Sequence, residues 1–98
     1  MVMEILLTYD VATETKAGRR RLRRVAKICE GFGQRVQKSV FECRLDRAKR
    51  EELVHRLRKE MNEEEDSLRI YRLREPRDKY LTVYGRDVEF DLHEPLVL

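Results

Sequence analysis

The apolar run Ile5-Leu6-Leu7-Thr8-Tyr9 stops on a carboxylate, Asp10, and this junction constrains what the rest of the chain can build. Side chains alternate along a strand, so Val2, Glu4, Leu6, Thr8 and Asp10 share one face while Met3, Ile5, Leu7 and Tyr9 share the other. Asp10 then falls at the carboxyl end of a buried strand, just ahead of a helix. In α/β layers that crevice is where ligands bind. An acid there is either a site or a cap. Nearby, Arg19-Arg20-Arg21-Leu22-Arg23-Arg24 sets a dense cationic helix beside it.

The remaining elements follow from periodicity and punctuation. Val2 to Tyr9 reads as the first strand, and Thr13 or Thr15 offers the N-cap of a helix. Leu22, Val25, Ala26 and Cys29 recur at helical spacing up to about Phe32, where Gly31-Phe32-Gly33 supplies a glycine stop. Gln34 to Leu45 is extended and broken near Lys38-Ser39, which predicts two short strands or one with a bulge. Asp46 caps a second helix whose apolar stripe is Leu53, Val54, Leu57 and Met61. The acidic run after it reads as a solvated loop, and Ser67 to Leu73 alternates again. Pro76 marks a turn, and Tyr80–Tyr84 and Val88–Leu92 read as two further short strands.

Strand, helix, two strands, helix, strand is the order of the α+β ferredoxin-like sandwich, βαββαβ, with two helices on one face of a four-stranded sheet. A chain of 98 residues makes one such domain, with residues 1–75 as core and 76–98 as C-terminal strands or tail. Leu6, Val36 or Phe41, and one parity of Leu68 to Leu73 put apolar side chains on the face that the helices leave open. That predicts a twofold homodimer, with the C-terminal strands extending or covering a sheet edge.

Charge distribution says more than net charge, which is only +3 although 42% of residues are charged. From Lys16 to Lys27 there are seven basic residues and no acid, whereas Glu60, Glu63, Glu64, Glu65 and Asp66 cluster later. Exposed helix faces ordinarily mix signs to gain i,i+4 pairs, so the segregated cluster at Arg19, Arg20, Arg23 and Arg24 points to the phosphate backbone of a nucleic acid. Such contacts carry no base preference. Cys29 and Cys43 have no metal-ligand spacing and read as buried thiols in a reducing cytoplasm. Glu4 and Asp10 interrupt the only apolar N-terminal run, so no signal peptide is expected, and no segment has the length of a membrane span. The expected location is cytoplasmic. His55 and His93 lie in no motif that makes either a general base.

Four further residues have a structural and a functional reading. Tyr9 has core parity, so packing with a hydrogen-bonded hydroxyl competes with stacking on a base. Arg35, beside Gly33, suits phosphate or a surface ion pair; Ser39 suits phosphate or strand backbone. Phe41 is core more often than base platform. An RNA-recognition module shares the element order but needs a third strand rich in glycine and rings. Lys38-Ser39-Val40-Phe41-Glu42 has one ring and no glycine.

Tyr9-Asp10-Val11 closing the first strand, the basic helix, Arg35 to Cys43, and Asp66 to Leu73 together resemble the small CRISPR-associated endoribonuclease family, the lesser partner of the CRISPR spacer integrase. The resemblance spans residue 2 to about 86. It implies ferredoxin-like homodimers whose sheets face each other and whose C-terminal strand crosses to the partner. It also implies Asp10 as catalytic magnesium ligand, and cleavage of single-stranded RNA or double-stranded DNA. In spacer acquisition, the family's part in antiviral defence, the dimer sits between integrase dimers and holds the captured duplex. The arginine-dense first helix and the tail after Gly85 depart from the common pattern. One acid per chain is few for hydrolysis, and a twofold axis near Asp10 would add Asp10 of the partner subunit. Two readings follow: a Mg2+-dependent endonuclease, or a nonenzymatic scaffold that binds duplex DNA through the same arginines.

Overall fold

The computed structural model describes residues 1–86. Its elements are β1 (Val2–Asp10), α1 (Lys16–Glu30), β2 (Gly33–Gln37), β3 (Val40–Asp46), α2 (Arg47–Glu60), β4 (Ser67–Arg72) and a short α3 (Arg77–Tyr80). The strands form one antiparallel sheet in the order β2-β3-β1-β4. With α1 and α2 packed on one face, this is the expected ferredoxin-like sandwich.

Register decides which side chains reach the helices. Ile5 lies opposite Cys43, Leu7 lies between Phe41 and Ile70, and Tyr9 lies opposite Leu68. This parity carries the buried sheet residues Ile5, Leu7, Tyr9, Phe41, Cys43 and Leu45, which meet Val25 and Cys29 of α1 and Leu53 and Leu57 of α2. Burial raises both thiols, Cys29 to about 12 and Cys43 to about 11. They stay protonated and behave as small apolar groups. No helix of the described residues is long and apolar enough to cross a membrane.

Capping fixes where the helices start. The Thr15 hydroxyl accepts from the Gly18 N–H at 3.0 Å, and Asp46 Oδ1 accepts from the Lys49 N–H at 2.8 Å. Each satisfies a donor that the first helical turn leaves open. A glycine within a helix costs up to about 1 kcal/mol relative to alanine. Gly18 nevertheless sits in the first turn of α1, because a Cβ there would collide with the carbonyl oxygen of Ala12. Glycine is what lets α1 seat directly on the β1–α1 loop.

Three expectations need correction. Helix α1 ends at Glu30 rather than near Phe32, and Gly31 caps it in a right-handed conformation, φ −78°, so no left-handed glycine stop is used. Tyr80–Tyr84 is not a strand: Tyr80 closes α3, and 81–84 pairs with no strand among the described residues. Val88–Leu92 lies outside the described residues. The open sheet face is also less apolar than expected. Phe41 belongs to the helix side, and Leu6, Val40 and Tyr71 share the open side with Glu4, Thr8, Glu42, Arg44 and Arg69. Part of that side is covered from within the chain, where Arg77 pairs with Glu42 and the Glu75 carboxylate accepts from the Glu4 N–H at 3.3 Å. In β2–β3, both readings of the break hold, since the two strands form a hairpin with a bulge between Arg35 and Gln37.

Candidate functional site: an acidic corner beside a cationic helix

Asp10 is the last residue of β1, exposed, and opposite Ser67 at the start of β4. The cap of α1 is Thr15, so capping does not account for Asp10. Its carboxylate has no hydrogen bond or ion pair among the described residues. Nor do three or more His, Cys, Asp or Glu side chains gather there into a group able to hold a metal. Magnesium takes one or two carboxylates and completes its shell with water and phosphate oxygens. A single free carboxylate fits as one part of such a shell.

A second acid stands at the same corner. Asp66 immediately precedes β4, and its side chain is fully buried. Arg21 Nε donates to Oδ2 at 2.9 Å and Arg21 Nη2 to Oδ1 at 3.3 Å, while the N–H groups of Ala12 and Asn62 donate at 3.0 Å each. Burial alone would push this carboxyl up. The Arg21 guanidinium and the two backbone N–H groups outweigh it and hold Asp66 below the usual carboxylate range. The acidic run is therefore not simply a solvated loop. It closes on itself through Asn62, whose carbonyl accepts from the N–H groups of Glu65 and Asp66.

The cationic helix divides accordingly. Arg21 is consumed by Asp66 and Glu65, and Arg24 reaches Glu60 at 3.5 Å. Arg19 donates to the Thr13 carbonyl at 3.2 Å. Arg20 and Arg23 are exposed and have no partner among the described residues. The compensating acids come from α2 and the loop after it, not from α1's own turns. Arg24 and Lys27 also face His55, Arg56 and Lys59 across a cleft of about 610 Å³ between the two helices. Glu60 is the acid that lines it.

The remaining candidates fall on the other side of β1. Tyr9 is buried, its ring stacked on Phe41 with centroids 6.2 Å apart, and its hydroxyl donates to the Lys38 carbonyl at 3.3 Å. Phe41 is 0% exposed, so neither face of its ring is open to a base. Arg35 lies over that ring, 5.2 Å from its centroid, and pairs with Glu30 at 3.7 Å. Ser39 lies in the β2–β3 turn, where its carbonyl accepts from the Tyr9 N–H at 3.2 Å. Asp10 lies across the ladder from Ser67, next to the Asp66–Arg21 pair that ties α1 to this corner, whereas Tyr9, Phe41, Arg35 and Ser39 pack with one another. Sequence reasoning missed Asp66 and Arg21. The available signal was that a helix rich in cations and a loop rich in acids need each other.

Residues 3–80 match the family described as CRISPR associated protein Cas2. The chain is 59% identical over 96 residues to the CRISPR-associated endoribonuclease Cas2 1 of Moorella thermoacetica, covering 98% of this chain and 100% of that one. It is 45% identical over 95 residues to the CRISPR-associated endonuclease Cas2 of Halalkalibacterium halodurans, covering 97% and 99%. Among solved structures, Streptococcus pyogenes Cas2 superposes with a TM-score of 0.76 at 48% identity, over 85% of this chain and 100% of that one. In family, as in fold and in the order of its motifs, the chain belongs to the CRISPR-associated Cas2 proteins.

Proposed function

We propose that the protein is a metal-dependent endonuclease of CRISPR spacer acquisition, acting in the cytoplasm on single-stranded RNA or duplex DNA. The observation that carries this reading is the exposed Asp10 carboxylate at the end of β1, without a partner among the described residues, in a chain whose relatives are named endoribonuclease and endonuclease. Bound magnesium would supply a Lewis acid that acidifies water and neutralises charge on a phosphodiester. Asp10 would contribute the protein's oxygen to that ion, with Asp10 of the partner subunit as the second. Arg20 and Arg23 would hold the phosphate backbone from the adjacent helix. The exposed apolar side chains Tyr71, Leu81, Val83 and Tyr84 support a homodimer in which the C-terminal segment reaches the partner.

A nonenzymatic scaffold, holding duplex DNA beside the integrase, is favoured by one separate observation. Arg20 and Arg23 offer backbone contacts that need nothing from Asp10. The two readings part on Asp10→Asn, which keeps the side chain's size and removes the charge a hard cation requires. An endonuclease loses Mg2+-dependent cleavage of RNA and duplex DNA while duplex binding stays within about twofold of wild type. If purified wild type cuts neither substrate with Mg2+ and still binds duplex, the scaffold reading stands alone.

A further inference from the structure

We infer that Asp66 and Arg21 are positioning residues for Asp10, a role that rests on the nuclease reading of Asp10. Asp10 has two backbone neighbours at the corner, and one buried carboxylate governs both. Past the end of its strand, only Val11 separates it from Ala12, whose N–H donates to Asp66 Oδ1 at 3.0 Å. Across the ladder it faces Ser67, the residue directly after Asp66. Arg21 completes the clamp by gripping both Asp66 oxygens from α1. The loop is braced a second time where Gly18 admits the Ala12 carbonyl and where Val11 is buried.

Asp10 itself needs this arrangement because no described side chain holds its carboxylate. An exposed metal ligand without hydrogen bonds of its own can be oriented only through its backbone, and a site held loosely by about 1 Å loses function. Asp66 and Arg21 would supply that orientation from behind, touching neither ion nor substrate. Supporting groups of this kind are worth about 10- to 100-fold in metal affinity or activity.

The test compares Asp66→Asn, Asp10→Asn, the double variant and Leu57→Ala, all well below their melting temperatures. Leu57→Ala is a core cavity variant that removes none of the hydrogen bonds to Asp66, included as a stability control. Asp66→Asn should lower kcat at least about tenfold with KM little changed, and weaken Mn2+ binding measured by calorimetry by a similar factor. The Ala12 amide should exchange faster in the metal-free protein. Leu57→Ala should shift the melting temperature without moving kcat or Mn2+ affinity. In the Asp10→Asn background, Asp66→Asn should add nothing, because it acts through Asp10. Should Asp10→Asn lose activity while Asp66→Asn keeps wild-type kcat and Mn2+ affinity, positioning is wrong and the nuclease reading survives. The same holds if Leu57→Ala matches the loss, or if the two Asn substitutions multiply. Wild-type cleavage and Mn2+ affinity in Asp10→Asn would overturn the nuclease reading and the positioning role together.

Discussion

Asp10 and Asp66 occupy the same corner of the sheet, one at the end of β1 and the other just before its pairing strand, yet they live opposite lives. Asp10 is exposed and unpartnered among the described residues, while Asp66 is sealed from solvent and accepts from three residues. A buried carboxylate is tolerable only when donors replace its water, and Arg21, Ala12 and Asn62 do so. An exposed one keeps its hydration and is free to exchange it for a cation. The difference teaches that one acid at this corner is committed to holding the fold while the other is left without a protein partner among the described residues.

The sharpest way to break that contrast is to delete each side chain. Asp66→Ala leaves two N–H groups without an acceptor and the Arg21 guanidinium with Glu65 alone, and should cost about 3 kcal/mol. For a domain of this size that is a drop of roughly 15 °C in Tm. Asp10→Ala should stay within about 0.5 kcal/mol of wild type. Thermal melts giving equal losses for the two would erase the distinction.

Acid titration probes the same pair less violently. Because Asp66 titrates lower in the folded protein than in the unfolded chain, its contribution is fully present above the unfolded value of about 4. It fades as pH falls through the folded value. Urea midpoints measured down the acid range should therefore drop more steeply for wild type than for Asp66→Asn. Parallel curves would mean that Asp66 is not the group being lost.

Among the cations, the contrast is between Arg20 with Arg23, which are open, and Arg24, which is engaged. Neutralising Arg20 and Arg23 together should lower the log–log salt slope of duplex binding by roughly two, equally across sequences. The matching change at Arg24 should do less, since Glu60 already meets its charge. An unchanged slope would return Arg20 and Arg23 to a plain solvated face. Smallest of all, a double-mutant cycle on Arg24 and Glu60 should give about 0.5 kcal/mol, the usual worth of an exposed pair. A coupling well above 1 kcal/mol would place Arg24 with Arg21 instead.

Local chemistry alone determined much of this protein. Alternation in Val2–Asp10, the helical stripe through Leu22, Val25 and Cys29, and the caps at Thr15 and Asp46 each depend on residues a few positions apart. These features carried the element order and the ferredoxin-like fold. They failed at the C-terminal segment, where Tyr80 to Tyr84 alternates like a strand but gains no pairing strand among the described residues. Strand character needs a partner, and periodicity cannot supply one. The side of the sheet that Phe41 faces, the depth of Asp66 and the choice of Arg21 over Arg20 for burial were decided only by tertiary structure. Arg21 and Asp66 lie 45 positions apart, and Gly18 is required only because α1 comes down on Ala12. Which charges are spent in holding the fold depends on which distant segments meet. Asp10, Arg20 and Arg23 are among the charges that the described fold leaves without a partner.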